Sequence, residues 1–137
     1  MPGEVVVDAS VAAKIFITEV GSVEARALFL SGIKAIAPDL VIVELTNVAA
    51  KRVRRGDIPR SVGERMVDSV RTMFEEFAPC AELMARAFVL AADHGLSTYD
   101  ATYVALAEAR GCDLVTADEK LVARVVRAGL TVTLRTL

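Results

Sequence analysis

Four acidic residues occupy positions where acids are unusual, either at the end of an apolar run or on an apolar helix face. Asp8 directly follows three valines, and Asp118 comes two residues after a second short apolar run. Glu44 and Asp100 fall on the inward faces of two predicted helices. Buried carboxylates are costly unless they are paired, and two unit charges about 4 Å apart repel by roughly 4 kcal/mol at an effective dielectric of about 20. A cluster of these acids would need protons or cations, and all-oxygen ligands select Mg²⁺ or Mn²⁺ over zinc.

Each of the four acids also has an ordinary structural role available. Asp8 could accept hydrogen bonds from loop amides, and Asp118 could be the N-cap of a helix. Asp100 could interact with the dipole of its helix, and Glu44 could form a buried ion pair with an arginine. The sequence leaves these alternatives open for each residue taken singly.

Three polar residues near the acids are candidates for a supporting role. Asn47 is the only amide side chain in the sequence and lies three residues after Glu44, so it could orient a carboxylate or a water on a metal ion. Ser10 and Thr116 flank the proposed acids and could contact a phosphate or a water. A surface position for Asn47 and capping by the two hydroxyls are the alternatives.

The elements that must position these side chains alternate along the chain. The predicted strands cover residues 4–8, 33–37, 113–116 and 131–134. The predicted helices cover residues 9–17, 22–30, 39–55, 61–76, 81–93, 99–110 and 118–128. This alternation indicates an α/β fold, with a parallel central sheet of about four to five short strands and helices on both faces. The 137 residues suffice for a single domain, 1–137. Ligands of such sheets bind at the carboxyl ends of the strands, where Asp8 and Asp118 would project.

The formal net charge of −2 conceals an uneven distribution. Residues 51–65 carry six basic and two acidic side chains, a local charge of +4, which leaves −6 for the rest. Lys51, Arg52, Arg54 and Arg55 extend the helix that bears Glu44. Basic walls beside an acidic centre suit a phosphodiester polymer, although a solvated helix end would have the same composition.

The four acids and their neighbours resemble the PIN domain, with the closest likeness to the ribonuclease toxins of VapBC toxin–antitoxin modules. The likeness covers essentially the whole chain and rests on the order and spacing of four motifs. They are Val7-Asp8-Ala9-Ser10-Val11, Pro38-Asp39-Leu40 through Glu44 to Asn47, Tyr99-Asp100-Ala101 through Tyr103 to Ala107, and Leu114-Val115-Thr116-Ala117-Asp118.

The resemblance implies an endoribonuclease that depends on Mg²⁺ or Mn²⁺. It implies that Asp8, Glu44, Asp100 and Asp118 are the catalytic metal ligands. It also implies a homodimer and a cognate antitoxin protein that inhibits by covering the site. RNA is the expected substrate, with the four basic residues after Asn47 as its phosphate contacts. With neither a membrane span nor a secretory leader in the sequence, a cytoplasmic protein is expected.

A catalytically silent PIN-fold module that acts by binding another protein is the main rival. A receiver domain is disfavoured because no lysine ends a late strand, and an Asp8-dependent phosphatase is disfavoured because Ser10 stands where a second aspartate is preferred. Cys80 and Cys112 could be two small buried side chains or a disulfide, and their spacing excludes a zinc ribbon.

Overall fold

Five short strands and seven helices make up the computed structural model, which describes residues 3–137. The strands are β1 (Glu4–Val7), β2 (Lys34–Pro38), β3 (Glu76–Ala78), β4 (Leu114–Thr116) and β5 (Leu134–Thr136). The helices are α1 (Ala9–Ala13), α2 (Ser22–Leu30), α3 (Leu40–Arg55), α4 (Arg60–Met73), α5 (Cys80–His94), α6 (Thr98–Arg110) and α7 (Glu119–Arg127).

The strands form one parallel sheet in the order β3-β2-β1-β4-β5. Val5, Val6 and Val7 are each at most 1% exposed, and every residue of β4 is buried as well. Because successive side chains of a strand point to opposite faces, helices must cover both faces of the sheet. The predicted α/β fold with a parallel sheet is therefore confirmed.

The strand order places a functional edge next to Asp8. From β1 the chain moves outward to β2 and β3 on one side, and it later returns to the other side of β1 as β4 and β5. The carboxyl ends of β1 and β4 are thus adjacent, with Val7 opposite Val115. Helix α6 packs across β1, β2 and β4, while α1 packs against α3. In open α/β sheets, ligands bind where the strand order reverses in this way.

The first helix is shorter than the predicted span of residues 9–17. It ends at Ala13, and the next residues continue as tighter turns in which each amide bonds three residues back, as Lys14 does to Val11. The Lys14 side chain folds against the following loop and donates to the carbonyl of Val20 at 2.6 Å. The α-helical bonding therefore ends at Ala13, and the Lys14 side chain fastens the connection that follows.

The predicted helix over residues 61–76 was wrong at its end, and strand β3 was missed. Helix α4 stops at Met73, and Phe74 is extended (φ −108°, ψ 141°). The Glu75 amide donates to the Ala35 carbonyl at 2.9 Å, which starts the pairing with β2. Phe74 is buried against Phe29 and Phe77, so packing and strand pairing end the helix without a glycine or proline signal.

The last predicted strand, residues 131–134, is displaced. Strand β5 covers Leu134–Thr136 because it pairs with the three residues of β4, Leu114–Thr116. In this pairing Leu114 lies opposite Leu134.

Both cysteines, Cys80 and Cys112, are free. Within the described chain, no helix combines the length and the apolar character that crossing a membrane requires.

Candidate active site

The carboxylate of Asp8 lies at the carboxyl end of β1 and caps α1. Its Oδ1 atom accepts hydrogen bonds from the Ser10 hydroxyl at 2.5 Å and from the Val11 amide at 3.2 Å. Asp8 is only 8% exposed. The amide contact that the sequence left open for Asp8 is present, and it uses one of the two carboxylate oxygens.

Two hydroxyl groups accept hydrogen bonds from the turn after β4 and hold that turn beside Asp8. Ser10 donates to Asp8 and accepts from the Ala117 amide at 3.1 Å. Thr116 is fully buried beside Asp8, and its hydroxyl accepts from the Asp118 amide at 3.0 Å. These bonds hold Asp118 beside Asp8 at the same edge of the sheet.

Asp118 is the N-cap of α7. Its Oδ1 atom accepts from the amides of Lys120 at 2.9 Å and Leu121 at 3.2 Å. The capping role that the sequence left open is therefore occupied by one oxygen, while Oδ2 accepts no hydrogen bond from residues 3–137. A capping aspartate can in this way hold a second ligand with its free oxygen.

Glu44 is held by a tyrosine of another helix. The Tyr103 hydroxyl in α6 donates to Glu44 Oε1 in α3 at 2.5 Å. Tyr103 is 2% exposed, so its ring is part of the core and only its hydroxyl reaches the site. The predicted alternative, an ion pair between Glu44 and an arginine, is not observed in the described chain, where no salt bridge includes Glu44.

Asp100 lies in the first turn of α6, whose N-cap is Ser97. The Ser97 hydroxyl accepts from the Asp100 amide at 3.0 Å, so this bond engages the backbone of Asp100. Asp100 is one turn before Tyr103 on the same helix, so α6 brings both a carboxylate and the tyrosine that holds Glu44 to the site.

The electrostatics of the cluster are unfavourable without a cation. Burial raises the pKa of Asp8, Glu44 and Asp100, and the neighbouring carboxylates raise it further. The charge of Asp100 acts on Asp8 and Glu44, and the charge of Asp118 acts on Asp100, partly offset by Arg124. None of these four acids joins a salt bridge within residues 3–137.

The donor set fits a hard divalent cation by its chemistry. All four side chains offer carboxylate oxygens, the ligands that Mg²⁺ and Mn²⁺ prefer, and a cation would relieve their mutual repulsion. Over residues 3–137, no three acidic, cysteine or histidine side chains converge into a ready-made cation site. Binding an ion would therefore have to draw the carboxylates closer together.

Asn47 and three of the four predicted basic contacts lie beside the acids. Asn47 is exposed and lines a cleft of about 270 Å³ together with Ser10. Lys51, Arg52 and Arg55 line the same cleft. Arg52 is partly engaged there, since it bonds Glu19 at 3.1 Å.

Arg54 points to a different surface. It lines a larger groove of about 550 Å³ between α3 and α4, whose walls include Ala50, Gly63 and Val67. None of the four clustered carboxylates lines this groove. The structure therefore separates Arg54 from the other basic residues with which the sequence grouped it.

Three further residues contribute to this region, although no role was predicted for them. Tyr103 carried a signal, since it follows Asp100 by three residues and falls on the same helix face. Lys14 and Glu19 carried none, because Glu19, which also accepts from Lys14, meets Arg52 only through the packing of the α1–α2 connection against α3.

Known proteins share this sequence and fold. The PIN domain family matches residues 5–127. Ribonuclease VapC3 of Pyrobaculum aerophilum is 34% identical over 120 residues, which cover 86% of this chain and 92% of that protein.

Two solved structures share the architecture. The crystal structure of PAE2754 from Pyrobaculum aerophilum superposes with a TM-score of 0.69 and 26% identity, covering 96% of this chain and 82% of that one. VapBC2 from Rickettsia felis, bound to a promoter DNA fragment, has a TM-score of 0.67 at 13% identity, covering 98% of both chains. The resemblance predicted from the sequence is thus confirmed, and this chain belongs to the PIN-domain family, together with VapC ribonucleases.

Proposed function

We propose that this protein is a divalent-metal-dependent endoribonuclease and the toxin of a toxin–antitoxin pair. The observation that carries the proposal is a group of four carboxylates, two that follow β1 and β4 and two from the adjacent helices α3 and α6. Three have a raised pKa, and none forms a salt bridge in the described chain. The relatedness to VapC ribonucleases supports RNA as the substrate.

Asp8, Glu44, Asp100 and Asp118 would hold Mg²⁺ or Mn²⁺. When bound, such an ion lowers the pKa of water and offsets negative charge on a phosphate. The protein's own contribution is positional. Ser10 and the Val11 amide orient Asp8, Tyr103 orients Glu44, and backbone amides orient Asp118.

Partner proteins belong to the same proposal. Because the Rickettsia felis relative is a VapBC assembly, we infer that an antitoxin protein binds this chain and covers the acidic cluster. We also infer a homodimer, and exposed apolar side chains such as Phe88 (70%) and Val43 (67%) are available for contacts between chains. An RNA substrate and two free cysteines favour the cytoplasm.

The test is the variant Asp8→Asn. Asparagine can still accept the bonds from Ser10 and Val11, so the fold and the α1 cap should persist. We expect Mn²⁺- or Mg²⁺-dependent cleavage of RNA to be abolished, together with the rise in unfolding temperature that Mn²⁺ gives the wild-type protein.

Asp39→Asn is the matched control. Asp39 follows β2 as Asp8 follows β1, but it is exposed, and its Oδ1 atom accepts from the Cys80 amide at 3.1 Å. The Asp39→Asn variant should cleave RNA at the wild-type rate. A wild-type protein that neither cleaves RNA nor gains stability from Mn²⁺, but still binds a partner protein, would instead identify the silent module.

A further inference from the structure

A basic cleft opens directly beside the acidic cluster, between the α1–α2 connection and α3. It has a volume of about 270 Å³. Ser10 lines the cleft and donates to Asp8, and Ala117, which also lines it, donates to Ser10. A group bound in the cleft is therefore a direct neighbour of any group held by the acids.

The charge of the cleft is opposite to that of the acidic cluster. Its lining includes four cationic side chains and one carboxylate, 4 − 1 = +3; the cations are Lys14, Lys51, Arg52 and Arg55, and the carboxylate is Glu19. The four acids next to it form no salt bridge in the described chain, and Arg124 offsets only part of the charge around Asp100. An anion without its own metal ion is attracted to the cleft and not to the cluster.

Glu19 organises one wall of the cleft. Its Oε1 atom accepts from Lys14 at 3.2 Å and its Oε2 atom accepts from Arg52 at 3.1 Å. Lys14 is 8% exposed and also donates to the Val20 carbonyl. Its methylene stem lies against Gly21, where a Cβ atom would approach Lys14 Cδ to 3.1 Å. Glu19 thus holds both cations in place and partly neutralises them, and Arg52 forms a second, longer salt bridge with Asp57 at 3.9 Å.

The two remaining cations are free to bind a ligand. Lys51 and Arg55 are exposed, one helical turn apart on α3, and neither forms a salt bridge among residues 3–137. Two cations spaced in this way, in the same cleft as Arg52, suit the oxygens of one phosphate group.

Resting on the ribonuclease function proposed above, we propose that this cleft binds the backbone phosphate of the RNA strand next to the phosphate at the acidic cluster. Lys51 and Arg55 contact that phosphate, and Glu19 positions Arg52 and limits the charge of the cleft. Arg54, which faces the α3–α4 groove, takes no part.

The experiment measures the binding of a fluorescent single-stranded RNA to metal-free protein in EDTA, over a series of salt concentrations. We expect Arg55→Ala and Lys51→Ala each to weaken binding several-fold at low salt. Each should lower the slope of log K against log salt by about 0.7, the value for one phosphate contact of a single strand. In the presence of Mn²⁺, both should raise KM for cleavage and leave kcat unchanged.

Arg54→Ala is the matched control, since it removes the same charge from the adjacent position of the same helix. It should leave the affinity and the slope unchanged. Glu19→Gln, which keeps the hydrogen-bond acceptor but removes the charge, should tighten RNA binding. Equal losses in Arg54→Ala and Arg55→Ala, or an unchanged affinity in Glu19→Gln, would overturn the subsite.

Inorganic phosphate distinguishes a strand subsite from a site for free anions. At constant ionic strength, millimolar phosphate should not displace the RNA. If phosphate displaces RNA from the wild-type protein but not from Arg55→Ala, the cleft is a site for free anions and the assignment to RNA is overturned. The ribonuclease proposal fails separately, if wild-type protein with Mn²⁺ cleaves no RNA. If it cleaves RNA while the Arg54 and Arg55 variants bind alike, only the subsite fails.

Discussion

The Tyr103 hydroxyl in α6 donates a hydrogen bond to Glu44 Oε1 in α3, with an O–O distance of 2.5 Å. The two residues are 59 positions apart in the chain, so only the packing of the two helices over the sheet brings them together. Because the Tyr103 ring is part of the core, this bond fixes the Glu44 carboxylate at the site. Burial and the adjacent Glu44 charge both raise the pKa of Tyr103, which keeps its hydroxyl protonated as a donor.

Tyr103→Phe should retain the fold and impair catalysis. The change removes one buried hydrogen bond and leaves the ring, so we expect a loss of about 1 kcal/mol in the free energy of unfolding. Metal-dependent RNA cleavage should fall about 10–100-fold, the usual cost of losing a group that orients a metal ligand. Urea denaturation and steady-state kinetics measure the two effects.

Tyr99→Phe is the control, because Tyr99 lies one turn earlier on α6 and is 61% exposed. It should match the wild-type protein in both measurements. Full activity in Tyr103→Phe would show that Glu44 needs no support from α6.

The metal-free protein should lose stability as the pH rises above about 4. The folded-state pKa values of Asp8, Glu44 and Asp100 are raised above those of unfolded Asp and Glu, near 4. Over the window between the unfolded and folded values, the native state binds more protons than the unfolded state, so the free energy of unfolding falls with increasing pH. Urea denaturation in EDTA at a series of pH values measures this dependence.

Asp100→Asn should flatten this dependence and stabilise the metal-free protein at pH 7 by about 0.5–2 kcal/mol, the common range for stabilising substitutions. Asp68→Asn removes one exposed carboxylate from α4 and serves as the control. The difference in the free energy of unfolding between Asp100→Asn and the wild-type protein should change from pH 4 to pH 8. A constant difference would contradict the raised pKa of Asp100.

Gly63→Ala should destabilise the α3–α4 pair even though alanine is the better helix former. A Cβ atom at Gly63 would lie 2.8 Å from Val53 Cγ2, which is too close for a packed branched side chain. Overpacking costs about 1–3 kcal/mol, against a propensity gain of about 1 kcal/mol. We expect a net loss of about 1 kcal/mol in chemical denaturation.

The same change in a Val53→Ala background tests the cause. With the Val53 methyl groups gone, Gly63→Ala should stabilise the protein by up to about 1 kcal/mol. A loss of equal size in both backgrounds would exclude the contact between Gly63 and Val53 as the reason.

Sequence patterns predicted most of the elements because the buried strands and the helix ends have strong local signals. The three valines before Asp8 are buried as a central parallel strand, and α2 has the predicted bounds. The end of α4 and strand β3 had no such signal, since pairing with β2 and the packing of Phe74 determine both. Strand β5 was displaced because its register depends on the three residues of β4.

The sequence by itself determined which side chains are available for chemistry and that two of them follow strands. The order of Asp8, Glu44, Asp100 and Asp118 along the chain was sufficient to indicate the family. A helix periodicity specifies the face on which a residue lies, but not the neighbour that it meets.

Those neighbours were decided by the tertiary structure alone. Because the sheet order places β4 beside β1, Ser10 joins Asp8 to the turn before Asp118, and Thr116 fixes the Asp118 amide. Arg54 and Arg55 are adjacent in the chain, yet they line different surfaces, since successive helix residues point about 100° apart. The sequence therefore determines the net charge of this basic segment. The packing of α3 against α1 and α4 determines the surface on which each charged side chain lies.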